Sequence, residues 1–301
     1  MKATSPFAAY LESKVAIDDR ALHPRVTQAA WQGLTERPGL RVLELGAGVG
    51  TMLQRLWRWG LLPPQVHYTA VERDPGLRAV ARQRLARWTR AQGGVFREAG
   101  SEWVCELPGV HLTVAWHTAD VFAFLEAAHG GWNLVLAHAF VDLVPVQPLL
   151  DALLPRARGA RLWFTLNFDG GTHFWPVDDA ATEAHLMQRY HATMQRWHGP
   201  HHMPGAHTGR VLLAGLSARG LPLLAVGSSD WVVYPQGGRY PAHEAHFLRH
   251  IVETVHQALR DDPQVPAAAL EAWRRQRLAQ IEAGRLVYIA HQIDLAAQVL
   301  G

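Results

Sequence analysis

The sequence predicts an α/β protein built on a seven-stranded, mostly parallel sheet with helices on both faces. Three observations carry this reading. Short β-rich runs alternate with helix-period segments between residues 40 and 166, the rhythm of parallel βαβ units. The run Asn133-Leu134-Val135-Leu136-Ala137 is almost wholly apolar, as strands covered on both faces are. The same rhythm resumes after a histidine- and aromatic-rich interruption. With 301 residues, 49% of them hydrophobic, the chain can bury one large core or a core with an insertion.

Pro6 to Leu34 carries apolar residues at helical spacing: Phe7, Tyr10, Leu11, Val15, then Leu22, Val26 and Ala30. Two short helices are expected there, broken near His23-Pro24, because proline disfavours helix in the residue before it. Leu40 to Leu45 reads as the first strand. It stops at Gly46-Ala47-Gly48-Val49-Gly50, and a helix pattern follows from Thr51 to Trp59. Val66 to Val71 is the second strand, closed by Glu72-Arg73-Asp74-Pro75, with a helix to about Arg90. Leu112 to Trp116 is the third strand and Val121 to Ala128 its helix. Asn133 to Ala137 is the fourth, followed by a helix from Val146 to Leu154. Arg161 to Leu166 is the fifth.

Asp169 to Arg210 is rich in histidine, aromatics and glycine and holds one helical stretch, Asp179 to Trp197. Long loops with partial structure are often lids. A helix from Gly209 to Arg219 then leads to a sixth strand, Leu223 to Val226. Helices follow at Glu244 to Leu259 and Ala267 to Ala283, before a seventh strand, Leu286 to Ala290. The expected organisation is a helical cap at 1–35, a core made of 36–168 and 210–301, and a lid at 169–209.

Composition narrows the function. No apolar run reaches the roughly 18 residues of a membrane helix. Met1 to Tyr10 lacks a basic segment followed by a long apolar stretch, so no signal peptide is expected. Cys105 is the single cysteine, which rules out an intrachain disulfide and a four-cysteine zinc site and fits a reducing cytoplasm. The formal charge is +3, and the basic residues are nearly all arginine; Lys2 and Lys14 are the only lysines. Arg78, Arg82, Arg84, Arg87 and Arg90 read as a solvated helix face, and no nucleic-acid partner is expected. The histidines of His198-Gly199-Pro200-His201-His202 and His207 lack regular ligand spacing, so no metal is expected.

The strongest chemical signal is Val42-Leu43-Glu44-Leu45-Gly46-Ala47-Gly48-Val49-Gly50-Thr51. Glycines between a strand and a helix let the backbone pass close to a ligand, and the helix start offers free N–H groups. The third glycine of a dinucleotide-type G-x-G-x-x-G would stand where Thr51 is, which argues against a dinucleotide oxidoreductase. Glu72, at the end of strand two, is placed to accept from both hydroxyls of a ribose. Asp120, after strand three, is placed to accept from an adenine amino group. Strand four ends in Ala137-His138-Ala139-Phe140-Val141-Asp142, at the edge where open α/β sheets put their ligands.

These residues resemble the class I S-adenosylmethionine-dependent methyltransferases, by motif from about Arg41 to Leu166 and by topology elsewhere. The resemblance implies a Rossmann-like fold with an antiparallel last strand, and S-adenosyl-L-methionine as cofactor. It implies that Glu44, Gly46, Gly48 and Gly50 form the turn facing the methionine part. It places Glu72, with Arg73 beside it, at the ribose, and Asp120 and Val121 at the adenine. Strand four lacks the Asn/Asp-Pro-Pro-Tyr/Phe signature of amino-methylating nucleic-acid enzymes and a metal-binding acid set, which points to a small-molecule acceptor and direct in-line displacement. The rivals are an RNA or protein methyltransferase on the same core, and a non-catalytic protein that binds the cofactor.

His138 and Asp142 are four residues apart and share a face if the segment is helical. An acid beside an imidazole suits a general base, so His138 is the candidate base and Asp142 its orienting partner. The alternative is that His138 packs on the ligand. Candidate acceptor residues are Tyr10, Lys14 and Arg20 in the cap, with Phe168, Phe174, Trp175, Tyr190, His191 and Met194 in or beside the insertion. The insertion's aromatics read equally as a core for the insertion itself. Phe7 to Arg25 and Asp169 to Arg210 are expected to close together over the site.

Overall fold

The computed structural model describes residues 6–195, 197–198 and 200–301. Three helices form the N-terminal cap: α1 (Pro6–Ser13), α2 (Val15–Ala21) and α3 (Pro24–Trp31). The core opens with β1 (Leu40–Leu45), α4 (Thr51–Arg58), β2 (Gln65–Glu72) and α5 (Pro75–Ala91). Next come β3 (Val95–Ala99), β4 (Glu102–Leu107), β5 (Val110–Thr118), α6 (Val121–Ala127) and β6 (Leu134–His138). A 3₁₀ turn (Val141–Leu143) leads to α7 (Val146–Leu153), β7 (Arg161–Trp175) and α8 (Ala180–Thr193). The chain continues through β8 (Trp197–His198), β9 (His201–His202), α9 (Thr208–Ala218), β10 (Leu223–Ser228) and β11 (Trp231–Val233). It closes with α10 (Glu244–Leu259), α11 (Ala267–Glu282) and β12 (Val287–Gln298).

The main sheet runs in the order β10-β12-β7-β6-β1-β2-β5-β4-β3, with β11 also paired to β12. Strands β7, β6, β1, β2 and β5 are parallel, and β12 runs antiparallel to both β7 and β10. This is the predicted Rossmann-like order with its reversed last strand. The sheet has ten strands where seven were expected. Seven of them match the expected runs. The other three are β11 and the β3–β4 hairpin, which extends the sheet antiparallel to β5. That hairpin escapes a period-based reading because β3 is an edge strand whose residues are exposed or only partly buried, so no inward face repeats along it. The hairpin is nonetheless anchored. Trp103 on β4 is buried against Trp116, with ring centroids 5.2 Å apart, and Arg78 lies over its ring at 5.7 Å.

The fifth strand also exceeds its expected end. β7 runs on past Leu166 to Trp175, paired to β12 throughout. Leu166 takes the left-handed region (φ 56°), and its N–H is satisfied by the Asp294 carboxylate at 2.7 Å where the register slips. A second slip falls at Gly170-Gly171, where Gly170 has φ +85°. The strand thus bends twice without ending. Much of the expected lid is therefore strand, and α8 packs on α10.

Successive residues of each central strand feed opposite faces. Val42, Tyr68, Leu112 and Trp163 pack under α3, α4 and α5 with Trp31, Leu53 and Leu85. Leu43, Leu45, Val135 and Phe164 pack with Leu125, Leu149 and Leu212 on the other side. A third cluster, around Ile17, Phe174, Leu186, Phe247, Trp273 and Tyr288, joins α2, α8, α10 and α11 to the protruding ends of β7 and β12. The β3–β4 hairpin is expected to be integral to the first cluster. Trp103→Ala should cost about 3–5 kcal/mol in a chemical-denaturation experiment. An unchanged midpoint would make the hairpin peripheral.

Candidate functional site

The turn from β1 into α4 shapes the site. Gly46 (φ +71°) and Gly50 (φ +72°) both stand in the left-handed region, which costs glycine nothing. The Gly46 and Ala47 N–H groups donate to the Val71 carbonyl at 2.9 and 3.0 Å, which ties the turn to the end of β2. A Cβ on Gly46 would stand 2.2 Å from the Phe140 ring, so the backbone passes directly beneath that side chain. Gly50 faces Ala81 and Trp116 and starts α4, with no part in the cavity wall.

A cavity of about 430 Å³ lies beyond the carboxyl ends of the central strands. Glu44, Gly46, Gly48, Glu72, Arg73, Asp120, Val121 and His138 all line it, and Lys14 joins them from the cap. The Glu72 carboxylate accepts from Gly48 N (3.0 Å) and Asp74 N (2.9 Å), leaving about two of its four lone-pair positions for a ligand. Asp120 caps α6 through Oδ1, which accepts from Phe122 N at 2.9 Å and Ala123 N at 3.4 Å. Its Oδ2 has no protein partner among the described residues. Glu44 is buried, and its Oε2 accepts from the Tyr68 hydroxyl at 2.7 Å. Burial pushes the Glu44 carboxyl up to about 8, against the lowering effects of that hydrogen bond and of Arg55.

The expected His138–Asp142 pair does not form. Ala139 takes φ 50°, so the chain turns out of helical geometry immediately after His138. Asp142 instead accepts from Phe168 N at 3.2 Å and lies outside the cavity wall; burial pushes its carboxyl up to about 7. The carboxylate beside His138 is Asp18, whose Oδ2 is 3.1 Å from Nε2, while His138 Nδ1 is 2.9 Å from Thr165 Oγ1. A carboxylate only accepts, so Nε2 carries the proton and Nδ1 accepts from the threonine hydroxyl. Both ring nitrogens are thereby committed within the protein. Burial and the nearby Arg55 charge push the imidazole down to about 4 despite Asp18, leaving it neutral near pH 7.

Asp18 gathers more than the histidine. Lys14 Nζ donates to its Oδ2 at 2.6 Å and Trp231 Nε1 to its Oδ1 at 2.9 Å, with Arg55 Nη2 4.0 Å away. Burial alone would raise this carboxyl; Lys14, His138 and Arg55 outweigh it and hold it well below the usual carboxylate range. Arg55, itself fully buried, pairs with Asp19 at 2.5 Å. Asp18 and Arg55 were not among the expected residues. The one local signal was Lys14 and Asp18 at i,i+4 on an otherwise apolar stretch. Phe7, Leu11, Phe140 and Leu143, which line the apolar part of the cavity, were likewise missed.

The remaining candidates do not converge on the cavity. Tyr10 stacks on His250, centroids 4.0 Å apart, and Arg20 pairs with Glu244 at 2.6 Å. Phe168 meets His191 edge-on at 5.4 Å, and His191 bonds Thr172 at 2.9 Å. Phe174 and Tyr190 belong to the third core cluster, Trp175 is exposed, and Met194 ends α8. Phe168, Phe174 and Tyr190 thus pack in the third core cluster, which the insertion shares with α2, α10, α11 and β12, and of the two segments expected over the site only the cap borders the cavity. Among the described residues no group of three or more His, Cys, Asp or Glu could hold a metal; Gly199 and the His198 side chain lie outside them. Asp18→Ala would strand the Lys14 ammonium in the interior and leave His138 and Trp231 without their carboxylate, and should cost about 3–5 kcal/mol in thermal or chemical denaturation. A cost below about 1 kcal/mol would show that this cluster does not fasten the cap.

The family model described as "Putative S-adenosyl-L-methionine-dependent methyltransferase" matches residues 25–201. No curated protein matches this sequence. Among solved structures, the chain is similar to a "putative sarcosine dimethylglycine methyltransferase" from Galdieria sulphuraria, with 14% identity, TM-score 0.46, and 96% of this chain and 88% of that one covered. It is also similar to phosphoethanolamine N-methyltransferase 2 from Haemonchus contortus, at 12% identity and TM-score 0.42, covering 92% of this chain and 52% of that one. A third similar structure is geranyl diphosphate C-methyltransferase from Streptomyces coelicolor, at 12% identity and TM-score 0.44, covering 91% and 77%.

Proposed function

We propose, for a chain that belongs to the family of S-adenosyl-L-methionine-dependent methyltransferases, that its methyl acceptor is a small molecule taken up in the cavity at the strand ends. The observation that supports this most is the roof. Phe7, Leu11 and Lys14 of the cap border the same cavity of about 430 Å³ that the cofactor-facing residues line, a space of small-ligand size for cofactor and acceptor side together. An extended polymer chain would need a more open approach.

The residues present fit the cofactor. Glu72, with lone pairs to spare, would hold the ribose hydroxyls, and the free Oδ2 of Asp120 the adenine amino group. Glu44 and the backbone at Gly46 and Gly48 would hold the methionine end. S-adenosyl-L-methionine, when bound, supplies a methyl group on a positively charged sulfur. The protein's contribution is to align the acceptor and exclude water. Phe7, Phe140, Leu143 and Val144 give the acceptor side an apolar lining.

His138 fits a positioning role better than that of a base. Its nitrogens are engaged by Asp18 and Thr165, so taking a proton from the acceptor would break a buried hydrogen bond. In this reading it fastens the cap to the end of β6, and transfer proceeds by proximity.

Three outcomes are expected. Incubation with methyl-labelled cofactor and fractionated small molecules, RNA and protein should place label in the small-molecule fraction; label in RNA or protein would overturn the acceptor reading. Glu72→Ala should weaken S-adenosylhomocysteine binding by about 1.5–3 kcal/mol in calorimetry. Unchanged affinity in a folded variant would mean the ribose is held elsewhere. With an acceptor in hand, His138→Gln should lower the melting temperature and cut kcat by less than about tenfold. A loss of about 10²–10⁴ with intact cofactor affinity would restore it as a base.

A further inference from the structure

Glu44 stands apart from the other acids of the site. It is 2% exposed, sits in the cavity wall, and forms no ion pair among the described residues. Its one hydrogen-bond partner is the Tyr68 hydroxyl. An ionised carboxylate so placed lacks compensation, because desolvation of a buried charge is offset only by a cation or several donors. The nearby cations are already committed. Lys14 is held by Asp18 at 2.6 Å, and Arg55 by Asp19 at 2.5 Å. Glu72, also in the cavity wall, adds negative charge nearby. A neutral carboxyl in the wall of a site for a cationic amino-acid ligand is a counter-ion waiting for its cation.

We propose that binding of the cofactor's amino-acid end is coupled to release of one proton from Glu44, whose carboxyl becomes the counter-ion of the ligand's ammonium. This rests on the S-adenosyl-L-methionine reading of the cavity. The balance is simple: the neutral acid and the ammonium-bearing ligand give a carboxylate–ammonium pair, and the proton passes to solvent. No covalent bond is made or broken beyond the O–H of the carboxyl.

The surrounding groups allow the effect to be isolated. Tyr68 from β2 is itself pushed well above its usual range by burial and by Glu44, so it stays protonated. His138 from β6, at about 4, is neutral throughout the window of interest. Asp142, at about 7, titrates within the window but lies outside the cavity wall. With burial pushing Glu44 up to about 8 in the free protein, binding at pH 7 should release close to one proton. Affinity should rise by more than about tenfold from pH 6 to 7.5. It should fall again only at more alkaline pH, where the ligand's own α-amino group loses its charge.

The test is calorimetry of S-adenosylhomocysteine binding at pH 7 in phosphate and in Tris, whose ionisation enthalpies differ. The expected result is a buffer-dependent enthalpy equivalent to about one proton released, absent in Glu44→Gln, with a pH profile between 6 and 7.5 flattened to within about threefold. Binding by the wild-type protein with no buffer dependence overturns the proposal, whatever the variant does. So does a Glu44→Gln variant that still releases the proton. Should Glu44→Gln not fold, Tyr68→Phe serves, because losing its hydrogen bond destabilises the carboxylate and should move the rising limb to higher pH. No shift in that limb would count against the proposal. Absence of any binding by the wild-type protein would overturn the cofactor reading itself, a result distinct from binding without proton release.

Discussion

The Asp18 carboxylate is the fastening on which the geometry of the site depends. It is buried, and it draws donors from the cap, from β6 and from β11: Lys14, His138 and Trp231. Asp19 and Arg20 of α2 hold the cap to α4 and α10 through Arg55 and Glu244, while Asp18 ties it to the strands, and the roof over the cavity stands on these helices. The arrangement is costly to build, since several charged groups leave water together, but it is costly to break for the same reason. Its worth lies in placement more than in net stability. A roof held by fixed hydrogen bonds keeps Phe7, Leu11 and Lys14 at set positions over the glycine turn, which is the condition for excluding water from a transfer reaction.

Two buried acids close to one cavity end in opposite states, and the difference is a matter of neighbours. Asp18 has a lysine, an arginine, an indole N–H and an imidazole N–H around it, and remains ionised. Glu44 has a phenol and a distant arginine, and keeps its proton near neutral pH. Both are carboxylic acids, and both are buried to nearly the same depth. What decides the charge is how many donors the fold brings to each oxygen.

The parts of this architecture that could be read in advance are those whose evidence is local. Strand, glycine turn and helix follow one another within Leu40 to Arg58, and Glu72 and Asp120 each sit at the end of a strand that alternates or runs apolar. Those residues line one cavity because parallel strands bring their carboxyl ends together. The reading failed where a partner came from far along the chain. A helix would put His138 and Asp142 on one face, but Ala139 leaves helical geometry and sends Asp142 to β7. The true partner, Asp18, lies 120 positions earlier, and nothing in the spacing near His138 points to it. The aromatic residues of the insertion were legible as a set, yet their face could not be chosen without knowing that β7 continues to Trp175 and that α10 would cover α8.

The place of β12 in the sheet has a consequence for how the chain is made. β12 lies between β7 and β10, although it follows both in the chain and is separated from β7 by more than one hundred residues. During synthesis, β7 therefore emerges with one long edge unpaired, and that edge stays open while α8 to α11 are produced. Loop closure over such a distance is slow, and an unpaired apolar strand is a template for wrong partners. The helices that appear in the meantime, α8 and α9 among them, are the available cover for β7 during that interval. The sheet is sealed only when its antiparallel strand arrives, so the pairing of greatest sequence separation is also the last that the chain can make.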